Sequence, residues 1–236
     1  MRNCVFIFDF DSTIVTEESL NTLIMSGVDD VFEYKNLQRK IEEISCRGMS
    51  GELSMNESLN ERIHIRKIRR EEIEEKQNGI CETLTPGIED VIKHLQEHSV
   101  PIFIISGGLI DFIIPVAEHL NIPVEHCFGN SFVWDRQNVV IGFDEGNPLT
   151  QNYGKSTIIE KFIRPKFSDD CQLYMVGDGV TDFEPLEKKV VDRFVGFGVN
   201  VYREKVEKLA IACGQPYFQK MDDFFTYIKE LPKPIV

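Results

Sequence analysis

The stretch CVFIFDFDST, residues 4–13, joins a continuous apolar run to two carboxylates. Five apolar residues in succession, rich in β-formers, are typical of a strand covered on both faces, as in a parallel sheet. Asp9 and Asp11 follow at the carboxyl end of this predicted strand. Because two such charges repel each other, the pair favours a bound cation or a shared proton. The same residues are equally good turn or helix-capping chemistry, so the motif decides nothing alone.

Similar apolar runs recur along the chain, at residues 101–105, 173–176 and 191–195. Amphipathic helical stretches alternate with them, near residues 87–98, 111–120, 156–163, 203–212 and 222–231. This alternation predicts an α/β fold with a doubly wound, Rossmann-like parallel sheet. Ligands bind at the carboxyl ends of strands in such sheets, so we expect Asp9, Ser106 and Asp178 to converge on one site.

Two segments interrupt this pattern. Residues 17–84 contain no buried-strand run and show helical periodicity, which predicts a small helical-bundle cap inserted between residues 1–16 and 85–236 of the α/β core. Residues 132–143 have two β-rich halves around a polar centre, which predicts a hairpin. The basic residues at 66–70 are followed at once by acidic ones, so we interpret this run as a solvated helix end.

Composition limits the classes of partner. The 236 residues carry a formal net charge of -13, which disfavours nucleic acid and anionic membrane surfaces. Six scattered cysteines without a C-x-x-C pair suit reduced thiols, and no stretch resembles an export signal or a membrane span. We therefore expect a cytoplasmic protein that binds neither nucleic acid nor membrane, and its oligomeric state, monomer or homodimer, stays open.

Two more carboxylates end a second predicted strand, in the stretch GDGVTD at residues 177–182. A turn accounts for one acid and one glycine there, but not for two acids at a second strand end of the same sheet. An all-oxygen set of ligands favours Mg²⁺. The stretch SGG, residues 106–108, offers a hydroxyl and unobstructed backbone N–H groups that suit an anion. Lys155 opens a helix, where a cation opposes the macrodipole unless an anion lies nearby or the side chain is simply solvated.

In order and spacing, these pieces resemble the haloacid dehalogenase superfamily of aspartate-nucleophile phosphohydrolases. Within it, the chain is most similar to the phosphoserine phosphatases. The motifs that carry this resemblance are DFDST at 9–13, LTPGI at 84–88, ISGG at 105–108, GFD at 142–144, GDGVTD at 177–182 and GFG at 196–198.

The resemblance implies different catalytic roles for two carboxylates. Asp9 attacks phosphorus to form an aspartyl phosphate, while Asp11 protonates the leaving oxygen and later activates water. Mg²⁺ is implied as cofactor, held by Asp9, Asp178 and the main-chain carbonyl of Asp11.

The remaining core residues of the resemblance handle the phosphoryl group. Lys155 is implied as catalytic, and Asp182 as the residue that orients it or a metal-bound water. The phosphoryl oxygens are implied to lie against Ser106, Gly107, Gly108 and Thr181.

Substrate choice in the resembled family depends on the cap. Glu18 matches an acid that pairs with the substrate ammonium group, and Arg62 matches an arginine that binds its carboxylate. Met49 and Ser50 match a shielding cap loop, and Arg203 a further basic position. The implied reaction is hydrolysis of O-phosphoserine to serine and phosphate, a step of serine biosynthesis.

This sequence departs from the family at Met55 and Leu109, where phenylalanine is common, and in a cap several residues longer between Val31 and Met49. One alternative is a sister phosphatase for another small phosphomonoester, an amino alcohol phosphate or a sugar-like phosphate. A second is a phospho-acceptor signalling module of the receiver type, and a third is a binding protein without activity.

Overall fold

The predicted alternation of strands and helices is present in the structure, a computed structural model. The structure describes residues 4–50 and 52–231, but not the side chains of residues 49 and 50. The strands are β1 (Cys4–Phe8), β2 (Ile102–Leu109), β3 (Cys127–Asn130), β4 (Phe132–Trp134), β5 (Val140–Phe143), β6 (Gln172–Gly177), β7 (Arg193–Phe197) and β8 (Tyr217–Phe218). The helices are α1 (Ser19–Met25), α2 (Val31–Ser50), α3 (Met55–Ile63), α4 (Arg70–Gly79), α5 (Ile88–Glu97), α6 (Ile110–His119), α7 (Gly154–Ile158), α8 (Val180–Glu187), α9 (Glu204–Ala212) and α10 (Met221–Glu230).

Six strands form one parallel sheet in the order β3-β2-β1-β6-β7-β8. The chain builds outward from β1 in one direction and then from β6 in the other, so the strand order reverses between these two neighbours. Phe8 is in register with Val176, which places the carboxyl ends of β1 and β6 side by side. Ligands bind at such a reversal point in open sheets. The predicted doubly wound α/β fold is therefore confirmed.

The apolar run that opens the sequence is buried on both faces of the sheet. Phe6 and Phe8 belong to one cluster of buried side chains, and Val5 and Ile7 to a second. All four are 0% exposed. Because successive side chains of a strand point to opposite faces, a strand covered on both sides has to be continuously apolar.

Residues 17–84 fold into α1–α4 and a final short turn, as the periodicity predicts. Where the segment leaves and rejoins the sheet, its two ends run side by side: Val15 bridges Leu84, and the N–H of Thr16 donates to the carbonyl of Thr83 at 2.8 Å. Within it, α3 begins at a capping box formed by Ser54 and Glu57. The division into a core and a separate cap domain stays a prediction.

The predicted hairpin at residues 132–143 is present as β4 and β5. The segment that precedes α4 joins it through two backbone hydrogen bonds, from the N–H of Val140 to the carbonyl of Ile68 at 3.0 Å and from the N–H of Arg70 to the carbonyl of Asn138 at 3.1 Å. The guanidinium of Arg70 lies 4.2 Å from the centre of the Trp134 ring. We call this contact between residues 68–70 and the hairpin the cap–hairpin seam.

The basic residues at 66–70 do lie at a helix end, since α4 begins at Arg70, and Lys67, Arg69 and Arg70 are exposed as the interpretation expects. Arg66 and Ile68 depart from it. Ile68 is fully buried, and the Arg66 guanidinium donates to the carbonyls of Ile24 and Leu23 at 2.6 and 2.7 Å. These carbonyls lie in the last turn of α1, where carbonyl groups lack the usual helical partner four residues on.

Candidate active site

Asp9 lies where β1 ends beside β6, and it is 8% exposed. Its N–H donates to the carbonyl of Val176 at 2.9 Å, so the sheet ladder fixes its backbone. The chain then turns sharply through Phe10–Ile14, with Ser12 in the left-handed region at φ 55°. This turn brings Asp11 back to the same edge of the sheet.

Lys155 bridges two carboxylates in the interior of the site. Its Nζ donates to Asp9 Oδ1 at 2.6 Å and to Asp182 Oδ1 at 2.5 Å, and it is 6% exposed. Burial alone would lower the pKa of Lys155, but the charges of Asp182 and Asp9 outweigh it and raise the pKa. The lysine is thus held as a cation, and the anion expected near its helix start is present.

Asp178 and Asp182 come from the turn between β6 and α8. Asp182 Oδ2 accepts from the N–H of Gly179 at 2.8 Å. A Cβ at Gly177 would lie 2.3 Å from that carboxylate, so only glycine lets Asp182 approach the strand end. Asp178 Oδ2 accepts from Arg203 Nε at 2.6 Å.

Oxygens of Asp9, Asp178 and Asp182 lie within 4.8 Å of one another, and all three residues are buried. Burial followed by the charge of Asp182 raises the pKa of Asp9 well above its usual range, against the opposing charge of Lys155. The same two causes raise the pKa of Asp178 to about 6, against Arg203. The protein's own cations therefore leave this acidic cluster under-neutralised, and its oxygen donors suit a hard divalent cation.

These residues border a cavity of about 190 Å³. Six carboxylates and three basic side chains line it, an excess of negative charge that would repel a phosphate dianion unless a cation is bound. The donor set thus fits a magnesium ion.

Asp11 is not part of this acidic cluster. Its Oδ1 accepts from the N–H of Ser19 at 3.0 Å. Burial and the charge of Glu18 raise the pKa of Asp11 to about 7, although the N–H and the hydroxyl of Ser19 oppose the shift. A carboxyl group with such a pKa can both give and take a proton near neutral pH, which suits a general acid and base.

The turn after β2 forms the opposite wall. Ser106 is 1% exposed, and its Oγ accepts from the N–H of Gly108 at 2.9 Å. Nothing lies within 4 Å of where a Cβ of Gly107 would be, so its backbone is open. Thr181 borders the cavity from the start of α8.

One buried residue that supports this wall has no signal in the sequence. Asn130, 0% exposed, donates from Nδ2 to the carbonyl of Gly107 at 2.8 Å and to that of Leu149 at 3.4 Å. It ties the glycine turn to the loop that precedes Lys155. Its strand, β3, is itself absent from the predicted elements.

Arg62 and Glu18 lie on the cap side of the cavity. The Arg62 guanidinium donates to Ser58 Oγ at 3.1 Å, while its Nε is buried without a hydrogen-bond partner. No carboxylate of the described residues pairs with Arg62 within 4.0 Å, although Glu18 and Asp11 act on its pKa from further away. Glu18 Oε1 accepts from Ser12 Oγ at 3.0 Å and from Arg203 at 3.2 Å.

The structure thus brings all the predicted site residues to one cavity, with two exceptions. The side chains of Met49 and Ser50 lie outside the described residues, so their predicted role stays a prediction. Arg203 does border the cavity, but its guanidinium is paired with Asp178 and Glu18.

The sequence model of the haloacid dehalogenase-like hydrolase family matches residues 5–188, which is most of the chain. The chain belongs to this family. It is 34% identical over 200 residues to the phosphoserine phosphatases of Rattus norvegicus and Homo sapiens, covering 85% of this chain and 84% of each relative. This haloacid dehalogenase-like hydrolase is a phosphoric monoester hydrolase.

The fold of this hydrolase is similar to that of a phosphoserine phosphohydrolase-like protein from Francisella tularensis. The crystal structure of that protein aligns with a TM-score of 0.81 and 28% identity, covering 97% of this chain and 100% of the other. Family membership argues against the receiver-type alternative. None of the described helices combines the length and apolar character that a membrane span needs.

Proposed function

We propose that this hydrolase cleaves O-phosphoserine to serine and phosphate, with Mg²⁺, through an aspartyl phosphate on Asp9. The observation that carries the substrate assignment is Arg62, a cation that borders the same cavity as Asp9 and has no carboxylate partner among the described residues. A substrate carboxylate can supply the missing partner through two parallel hydrogen bonds. The similarity to phosphoserine phosphatases supports the same assignment.

In the proposed reaction, an Asp9 oxygen attacks phosphorus while the bond from phosphorus to the serine oxygen breaks. Protonated Asp11 gives its proton to that oxygen, so serine leaves as a neutral alcohol. Water then attacks the phosphorus of the aspartyl phosphate, Asp11 takes its proton, and Asp9 is released with inorganic phosphate.

Lys155 stabilises negative charge on the phosphoryl oxygens, and Asp182 holds Lys155 in place. Ser106 and the open backbone at Gly107 offer further donors. Mg²⁺, held by Asp9, Asp178 and the main chain of Asp11, supplies charge neutralisation that lets an anionic nucleophile approach phosphate. With this proposal goes the expectation of a cytoplasmic enzyme of serine biosynthesis.

The substrate assignment is tested with a panel of esters that differ in one group. We expect Arg62→Ala to lower kcat/KM for O-phosphoserine by roughly 10- to 100-fold, as the loss of a charge-assisted hydrogen bond predicts. Phosphoethanolamine, which lacks the carboxylate, should lose no more than about threefold. Arg39, an exposed arginine on α2, gives the control variant Arg39→Ala.

Three results would count against the proposal. If wild-type protein leaves O-phosphoserine intact but cleaves phosphoethanolamine or a sugar-like phosphate, the sister-phosphatase alternative is correct. Equal losses on both esters in Arg62→Ala would show that Arg62 does not bind the carboxylate. Full turnover after chelation of divalent cations would remove the metal from the proposal.

A further inference from the structure

Ser19 carries a buried hydroxyl that the proposed reaction does not yet use. The residue is 0% exposed, and its Oγ has no hydrogen-bond partner of good geometry among the described residues, although the hydroxyl lowers the pKa of Asp11. Burying a hydroxyl without a partner costs free energy, so most buried hydroxyls are paired. A hydroxyl left in this state close to Asp11 therefore calls for a role.

The backbone of Ser19 already holds the proposed general acid. Its N–H donates to Asp11 Oδ1 at 3.0 Å. The backbone of Ser19 therefore fixes one oxygen of this carboxyl group.

The Ser19 hydroxyl and Asp11 Oδ2 both lie at the glycine turn after β2. The point where a Cβ of Gly108 would be is 2.7 Å from Asp11 Oδ2 and 3.2 Å from both Ser19 Oγ and Ser106 Oγ. Three side-chain oxygens thus lie around the bare Cα of Gly108. Because this turn is predicted to contact the phosphoryl oxygens, Asp11 Oδ2 lies close to the predicted phosphoryl position.

We propose that Ser19 is a positioning residue for Asp11: its N–H fixes Oδ1, and its hydroxyl gives the same carboxyl group a second donor. The terminal torsion of an aspartate is broad, so one hydrogen bond to Oδ1 leaves the plane of the carboxyl group loosely defined. A second donor from the same residue defines it. The Ser19 hydroxyl neither gains nor loses a proton, and the inference rests on the proposed role of Asp11.

Leaving-group dependence distinguishes this role from a structural one. The alkoxide of an alkyl phosphate needs a proton as it departs, whereas p-nitrophenolate leaves as a stable anion. Because kcat/KM covers the steps up to departure of the alcohol, a misplaced Asp11 lowers it for the alkyl ester and spares the aryl ester.

The experiment measures kcat/KM for O-phosphoserine, phosphoethanolamine and p-nitrophenyl phosphate with wild type, Ser19→Ala, Ser19→Gly and Asp11→Asn. Both Ser19 variants keep the N–H and lack the hydroxyl. We expect each to lose roughly 10-fold or more on the alkyl esters that wild type cleaves, part of the 10²–10⁴ typical of general acid catalysis, and less than about threefold on p-nitrophenyl phosphate.

Ser156→Ala is the matched control, because Ser156 is also a buried serine whose hydroxyl has no hydrogen-bond partner among the described residues, and no hydrogen bond among these residues joins it to Asp11. It should not lower kcat/KM for the alkyl esters more than for p-nitrophenyl phosphate, so it should show no split between the two kinds of ester. Equal losses on alkyl and aryl esters in both Ser19 variants, or no loss on either, would overturn the inference if Asp11→Asn does show the split.

Failure of the proposed function would give different results in the same experiment. If Asp11→Asn shows no split, then Asp11 is not the general acid. If wild type cleaves neither alkyl ester, the proposed reaction is wrong before any variant is compared.

Discussion

At the scale of single residues, the buried ion pair of Lys155 with Asp9 and Asp182 is the centre of the site. We expect Asp9→Asn to lower turnover of O-phosphoserine by roughly 10⁴-fold or more, because loss of a covalent nucleophile removes the first chemical step. Phosphate release under saturating substrate measures this. Asp90→Asn, an exposed aspartate on α5, should retain full activity. Substantial turnover in Asp9→Asn would move the nucleophile to another carboxylate.

The positions of Asp9 and Asp178 could be predicted from the sequence because both follow strand ends, whereas the role of Lys155 is implied by the family resemblance. Asp9 and Asp178 each come directly after a buried apolar run, so pattern and position agree. Asn130 and the Ser19 hydroxyl could not be found this way, since asparagine and serine occur throughout loops and helices. Their importance depends on what the fold places beside them, namely the carbonyl of Gly107 and the Oδ2 of Asp11.

At the scale of elements, α7 depends on a glycine to place Lys155. A Cβ at Gly154 would lie 2.3 Å from the carbonyl oxygen of Pro148 and 2.8 Å from the Cα of Leu149. Backbone atoms cannot rotate away, so we expect Gly154→Ala to shift the start of α7 and to destabilise the fold by about 1–3 kcal/mol. Activity should fall with it, because Lys155 is the next residue.

Gly79→Ala is the matched control, since a Cβ added to Gly79, at the end of α4, would have nothing within 4 Å. This change should be neutral or stabilise by up to about 1 kcal/mol. Thermal and urea denaturation of the two variants measure the difference. Equal stability of the two variants would contradict the close packing at Gly154.

Elements that are short or interrupted by glycine escape prediction from the sequence. β8 has two residues and β3 has four, lengths at which alternation or an apolar run carries little information. β2 continues through Gly107 and Gly108 to Leu109, although glycine weakens strands, because its neighbour β3 still pairs with it at Asn130. The long apolar strands β1 and β6 were predictable because a strand buried on both faces has to be a continuous apolar run.

At the scale of the whole molecule, the chain carries a formal charge of -13, and acids also outnumber bases among the residues that line the cavity. We expect Mg²⁺ to raise the Tm, because a ligand at about 100 times its Kd stabilises the native state by about 2.7 kcal/mol. For a chain of this length, that corresponds to a shift of roughly 5–10 °C. Differential scanning fluorimetry with and without Mg²⁺ measures it.

Two controls separate site binding from screening of the overall negative charge. NaCl at matched ionic strength should produce a much smaller shift. Asp178→Asn should lose most of the response to Mg²⁺, whereas Asp90→Asn should keep it. An undiminished response in Asp178→Asn would place the cation elsewhere.

The topology of the whole chain was predictable as a class, since alternating strands and helices allow few arrangements. The cap–hairpin seam was not, because it joins residues 68–70 to residues 138–140 through main-chain groups that no side-chain pattern reveals.

That seam has an optical consequence. Trp134 is the single tryptophan of the chain, and its indole ring lies under the guanidinium of Arg70. Indole emission from this protein therefore originates at one place, the junction between the helical segment and the hairpin. Any parting of the two would take a cation off the ring and admit water, changing intensity and wavelength together. The enzyme thus carries its own fluorophore at the point where movement of the helical segment would change the emission.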